Sequence, residues 1–178
     1  VRYTISAEGK NLGFVDTATG IDYLNRNTTS RCAAVQWNGK TYPATDASLA
    51  NGRLALGFNQ IGATATLKVE PGESYIRLSV LSVDGIDVDS LTFLSIPLTL
   101  KGRPDEPFAS CALSLNLRTH VKQLPALQTA LRASCYKKFG IKGAKVALIG
   151  TRMDNILSAL REALTDTEEM PHCKVAGP

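Results

Sequence analysis

Trp37 and Tyr42 flank an Asn38-Gly39 turn, and Tyr23, Asn25 and Arg26 lie on the segment before it. Aromatic rings beside a loop can stack on sugar rings while a neighbouring amide and guanidinium reach hydroxyl groups. These five residues are therefore the candidate carbohydrate-binding set. Burial is the competing reading, because Trp37 ends an alternating apolar strand. Asp84, Asp87 and Asp89 form the densest acidic cluster, and Asp87 and Asp89 share one strand face. Such oxygens could hold calcium, although the spacing is far from an EF-hand loop and Asp84-Gly85 reads more simply as a turn with solvated acids. No other cofactor is expected. Paired-carboxylate chemistry needs two acids a few ångströms apart, for which Asp87, Asp89 and Glu73 are the available groups. The only histidines are His120 and His172, and no serine sits in a G-x-S-x-G elbow. Gly150-Thr151 carries none of the glycine-rich phosphate signatures. Cys32, Cys111, Cys135 and Cys173 are widely spaced without a CxxC, which argues against zinc and for buried free thiols. Asn27-Thr28-Thr29 has the pattern of a glycosylation sequon.

These groups need a scaffold, and composition bounds it. With 178 residues the chain can bury one sizeable core, and 44% hydrophobic with 20% charged residues is ordinary for a globular domain. No apolar stretch approaches the ~20 residues of a membrane helix, so no membrane partner is expected. The net charge is +4, but the basic residues are scattered. Their densest group, Lys137, Lys138, Lys142 and Lys145, has only Tyr136 and Phe139 beside it, which is not a nucleic-acid footprint.

Residues 1 to about 100 read as short strands. Tyr3 and Ile5 alternate with polar neighbours, Leu12 and Phe14 continue the pattern, and Ile21 to Leu24 reads as a return strand. Cys32 to Trp37 and Lys40 to Pro43 are joined by Asn38-Gly39, and Asn51-Gly52 repeats the device before 53–58; Asn-Gly favours the positive φ angles of tight hairpins. Strands follow at 63–69, 75–80, 91–96 and 109–117, with Lys101 to Pro107 as the best linker candidate. Residues 127–139 are expected to form a short helix. Ala144 to Ile149 is an apolar strand of the kind buried on both faces. Gly150 would end it and Thr151, with Asp154 three residues on, would cap a helix whose one face carries Met153, Ile156, Leu157, Leu160 and Leu164.

Two stretches resemble a family. Leu12-Gly13-Phe14-Val15-Asp16-Thr17-Ala18-Thr19-Gly20-Ile21-Asp22-Tyr23-Leu24 is similar to the opening hairpin of galactose-mutarotase-like β-sandwiches that precede glycoside hydrolase barrels. Phe139-Gly140-Ile141-Lys142-Gly143-Ala144-Lys145-Val146-Ala147-Leu148-Ile149-Gly150, the helix to Leu164 and the tail Lys174-Val175-Ala176-Gly177-Pro178 resemble the connector into such a barrel. The resemblance implies an ancillary region of a bacterial, secreted or periplasmic enzyme of polysaccharide degradation, with its catalytic carboxylates on a barrel outside this sequence.

The expected fold is mainly β: an antiparallel β-sandwich over residues 1–120, with a C-terminal βα extension over 121–178 leading toward a further, catalytic domain of the same chain. The expected function is a non-catalytic carbohydrate-binding or structural module with a polysaccharide or oligosaccharide as partner. Two rivals are a small carbohydrate-active enzyme using paired carboxylates, and an assembly domain docking through the Met153/Ile156/Leu160 face.

Overall fold

The computed structural model describes residues 1–28, 30–122, 129–165 and 167. Cys173, His172, the tail 174–178, Thr29 of the sequon and the first residues of the helix expected at 127–139 lie outside them. Thirteen strands are described: β1 (Arg2–Ile5), β2 (Asn11–Val15), β3 (Ala34–Trp37), β4 (Lys40–Pro43), β5 (Asp46–Ala50), β6 (Arg53–Phe58), β7 (Ala63–Pro71), β8 (Tyr75–Asp84), β9 (Ser90–Pro97), β10 (Phe108–Ser114), β11 (Thr119–Lys122), β12 (Ala130–Tyr136) and β13 (Lys145–Arg152). One α-helix follows, α1 (Ile156–Leu164).

The strands make an antiparallel β-sandwich. One sheet has the order β10-β13-β8-β7-β6-β5, the other β11-β12-β9-β3-β4, and β1-β2 is a separate hairpin. A single core fills the space between them. Leu56, Leu67, Val146 and Leu148 come from the first sheet, and Val35, Leu91, Ile96 and Leu131 from the second. Alternation supplies these faces: along β7, Ala63, Ala65 and Leu67 are buried while Thr64 and Lys68 are exposed. Both Asn-Gly turns form as the sequence implies, with φ of 48° and 73° at Asn38-Gly39 and 51° and 70° at Asn51-Gly52.

The chain changes sheets repeatedly. The meander β5 to β8 lies in the six-stranded sheet, β9 in the other, β10 returns, β11-β12 cross again, and β13 inserts between β10 and β8. Thus β12 and β13, both beyond residue 120, are interior strands. The segment 101–107 joins β9 to β10 as a compact turn, because the Glu106 carboxylate accepts the N–H groups of Lys101, Gly102 and Arg103 at 2.8, 2.8 and 2.9 Å.

Three local expectations are corrected. Residues 130–136 are a strand, not a helix: Leu131, Ala133 and Cys135 point into the core, and pairing with β9 overrides the helix preference of the alanines. Only Lys137–Phe139 turn, as a single 3₁₀ turn. Asp22 and Leu24 make isolated bridges to Val15 and Leu98 instead of a strand. There the Asp22 carboxylate takes the N–H groups of Phe14 and Leu24, so a side chain replaces a ladder partner. Thr151 does not cap a helix; it continues β13 opposite Ala109, and a 3₁₀ turn at Met153–Asn155 leads into α1.

The apolar run in β13 is explained by what covers it. Val146 and Leu148 face the central core, while Ala147 and Ile149 face outward, under Ala159 and Ala163 of α1. The buried helical face is therefore Ile156, Ala159, Leu160, Ala163 and Leu164, and Leu157 is 66% exposed rather than part of it. Among the described residues no helix is long and apolar enough to cross a membrane.

Gly85, in the turn from β8 to β9, has φ of 96°, and a Cβ built there would lie 2.1 Å from the Gly62 carbonyl oxygen. Neither a flexible side chain nor open space relieves that clash. Gly85→Ala is expected to cost more than about 1 kcal/mol, read from urea unfolding; an unchanged midpoint would show that the two turns do not touch in solution.

Candidate functional site

The outer faces of the two sheets differ. α1 lies over part of the six-stranded sheet. The five-stranded sheet has no such cover among the described residues, and its outward positions are polar apart from Ala34 and Pro43. They form three cross-strand rows. Tyr136, Ser90, Gln36 and Thr41 make the first; His120, Ser134, Thr92, Ala34 and Pro43 the second; Lys122, Arg132 and Ser95 the third. The central strand β9 contributes only Ser90, Thr92 and Ser95, whereas its neighbours carry long side chains. Short residues between long ones leave a trough of about 380 Å³, with Arg31 at the Ser95 end.

A β-bulge sets this floor. Ala133 pairs with Leu94 but Ser134 pairs with Thr92, so Phe93 is an extra residue on β9. Strict alternation from Thr92 would turn Leu94 outward. The bulge instead buries both Phe93 and Leu94 and returns Ser95 to the trough. The floor hydroxyls are linked across strands, Thr92 Oγ1 to Ser134 Oγ at 2.8 Å. The rings of His120 and Tyr136 lie 6.4 Å apart at the rim, offering flat faces beside the hydroxyls. Beneath the floor, Cys135 is buried with its thiol toward the Leu91 carbonyl, and burial pushes its pKa up to about 12. Cys32, Cys111 and Cys135 are all free thiols.

The charge in the trough is one-sided. Arg31, Lys122 and Arg132 line it and no described carboxylate does. Arg31 donates to the Glu8 carbonyl oxygen, and the exposed Glu8 carboxyl is held below its ordinary pKa first by the Ser6 hydroxyl and, further down, by Lys10 and Arg31. Lys122 and Arg132 are directly opposite each other in the β11–β12 pair. Like charges so placed destabilise a sheet.

The five residues singled out in the sequence do not come together. Trp37 and Tyr42 touch, with ring centroids 6.4 Å apart, but Tyr42 packs against the core, on the opposite side of the sheet from Gln36 and Thr41. Tyr23 stacks on Phe108, centroids 4.8 Å apart and 9° from parallel. Asn25 receives the Asn27 N–H, and Arg26 is taken by Asp22 at 2.5 Å and by the Leu12 carbonyl. Asn25 N–H bonds to the Pro97 carbonyl, at the far end of β9 from the Gln36–Ser90 pair. At ~3.3 Å per residue the two groups are roughly 20 Å apart.

The acids do not converge either. Asp87 pairs with Lys137 at 2.5 Å, Ser82 donates to Asp84, and the Asp89 backbone bridges Gln36 and Lys137. Glu73 precedes β8 whereas Asp87 follows it, so the length of that strand separates them. Among the described residues no three His, Cys, Asp or Glu side chains are grouped closely enough to hold a metal. The trough residues were missed because serines, threonines and a glutamine on separate strands carry no local motif. Their one signal was the polar phase of β9 and its neighbours. No protein-family model, curated protein or solved structure matches the chain.

Burial raises the Asp22 carboxyl, but the Phe14 and Leu24 N–H donors, then Arg26, more than offset it, so its pKa lies below the ordinary value. A depressed carboxylate contributes stability above its unfolded pKa of about 3.9, and that contribution is lost as pH falls through the folded value. Asp22→Asn, which keeps an acceptor but cannot titrate, is expected to unfold with a shallower pH dependence below about pH 4; acid titrations of melting temperature that superimpose would refute the clamp. Arg132→Thr keeps a strand former and removes the like-charge contact. Its expected effect on unfolding free energy is between zero and a gain of about 1 kcal/mol, and a clear loss would mean the fold itself needs this cation.

Proposed function

We propose that this chain is a non-catalytic carbohydrate-binding module, working beside the catalytic domain of a larger secreted or periplasmic enzyme that acts on polysaccharides. The trough carries this reading. Its floor of hydroxyls from Ser90, Thr92, Ser95 and Ser134 can exchange hydrogen bonds with sugar hydroxyls, Gln36 offers both a donor and an acceptor, and the Tyr136 and His120 rings can flank a pyranose face. Open at the surface and spanning three strand rows, it suits an extended oligomer better than a single enclosed sugar.

Glycoside hydrolysis by paired carboxylates requires two acids flanking one bond, about 5 to 9.5 Å apart. The trough has none, and Glu73, Asp87 and Asp89 are dispersed, which favours binding over cleavage within the described residues. The assembly reading loses its docking face, since Ile156 and Leu160 pack on the sheet.

Affinity electrophoresis against a panel of soluble polysaccharides tests the proposal, with Gln36→Ala/Tyr136→Ala and Trp37→Ala run in parallel. Retardation by at least one glycan, weakened tenfold or more in the trough variant and unchanged in Trp37→Ala, is the expected outcome. Loss only in Trp37→Ala would move the site to the β3–β4 hairpin. No retardation by any glycan would overturn the binding role.

A further inference from the structure

We infer that the trough selects an anionic glycan, with a carboxylate- or sulfate-bearing sugar at the Lys122/Arg132 end and a neutral sugar at the Tyr136/Gln36 end. This rests on the carbohydrate-binding reading above and adds to it a charge, an orientation and a polarity.

The trough has two chemically distinct ends. The first row, Tyr136, Ser90, Gln36 and Thr41, is neutral. The third row holds Lys122 opposite Arg132, with Ser95 next to Arg132 and Arg31 also lining this end. No described acid faces these cations from the trough: β3, β4, β9, β11 and β12 contribute none to its lining, and Glu8 lies beside Arg31 only. Some exposed cations elsewhere are paired with an acid, as in Lys68–Glu70, Lys137–Asp87 and Arg152–Asp154.

Two like charges placed side by side on neighbouring strands work against the sheet that carries them. An anion seated between them removes that repulsion and gains hydrogen bonds from both: a guanidinium presents a planar fork to a carboxylate or sulfate, and an ammonium adds a mobile point charge. The Ser95 hydroxyl next to Arg132 supplies a neutral donor for an oxygen of the anionic group or of the sugar that carries it. One anionic group per binding register is what this end accommodates, because the second row, His120, Ser134 and Thr92, separates it from a neutral end with no cation of its own.

Isothermal titration tests this with four probes: a uronate oligosaccharide, a sulfated oligosaccharide, a neutral oligosaccharide of equal length, and a short single-stranded DNA. Lys122→Gln/Arg132→Gln is compared with Lys138→Gln/Lys142→Gln, which removes the same net charge outside the trough. Expected is binding of the uronate or the sulfated probe at least tenfold tighter than the neutral one. That preference should vanish in the Lys122/Arg132 variant, persist in the control, and weaken with rising salt. The tighter of the two anionic probes identifies the substituent. Neutral binding of equal strength, lost in Gln36→Ala/Tyr136→Ala, would overturn the anion selectivity and leave the carbohydrate role standing. Binding of DNA as tight as any glycan would overturn both, and so would binding of none of the four.

Discussion

The structure depends on β13 being hydrogen-bonded on both edges and buried on both faces. It pairs with β10 along seven positions from Phe108–Arg152 to Ser114–Val146, and with β8 from Lys145–Ser79 to Ile149–Tyr75. Without it, β8 and β10 would each present an open ladder edge inside what is now one sheet. Its two faces do different work. Val146 and Leu148 complete the core against the five-stranded sheet, and Ala147 and Ile149 form the seat of α1. Gly150 belongs to the same design, since a Cβ there would meet Val1 at 2.9 Å and Phe108 at 3.1 Å. The aromatic group Tyr3, Phe14, Phe108 and Tyr23 then ties the β1–β2 hairpin and the Asp22 segment to β10.

Because α1 is spent on the six-stranded sheet, the two outer surfaces diverge. Beside the helix, the outward residues of β13, Ala147 and Ile149, are apolar. On the other sheet the outward residues are mostly serine, threonine, glutamine and long cations, with the rings of His120 and Tyr136 among them. The bulge at Phe93 reconciles this with packing: one inserted residue lets two large side chains enter the core while the hydroxyl series continues outside. A trough whose floor is held by ladder hydrogen bonds is rigid, so a ligand settling there would spend little on ordering it. Lys122 and Arg132 stand over that rigid floor, and no acid among the described residues lines the trough beside them.

The sandwich was legible where one face was buried and the turns were self-sufficient. Residues 53–58, 63–69 and 75–80 alternate, and Asn38-Gly39 and Asn51-Gly52 need nothing beyond their own backbone preferences. Two strands were not legible for opposite reasons. Ala130–Tyr136 is rich in residues that favour helices, and only its neighbour β9 makes it extended. Thr119–Lys122 is four residues long, too short for a period to register. The βα unit was legible, but the neighbours of its strand were not: β13 lies antiparallel between β10 and β8, which a single apolar run cannot announce. The site was the least legible part, because Trp37, Tyr42 and Tyr23 drew attention as aromatic rings while each had a packing partner. The trough is assembled from three separate stretches of sequence, 31–43, 90–95 and 120–136, so beyond the polar phase of its strands it carries no local motif.

The position of β13 also bears on how this chain is made. A ribosome delivers residues in order, and the strand that closes the six-stranded sheet is the last of the thirteen to emerge. Until about residue 152 is clear of the exit tunnel, the nascent chain carries β8 and β10 with unpaired edges and an unfilled slot between them. The consecutive hairpins β3–β4 and β5 to β8 can pair as they emerge, but the six-stranded sheet is completed only when β13 arrives. Closing the six-stranded sheet rests on contacts of long sequence separation, such as Ser79–Lys145, which are slow to form. The Glu106 turn, which holds residues 101–107 compact with three N–H groups of its own segment, can likewise take its final shape before β13 emerges.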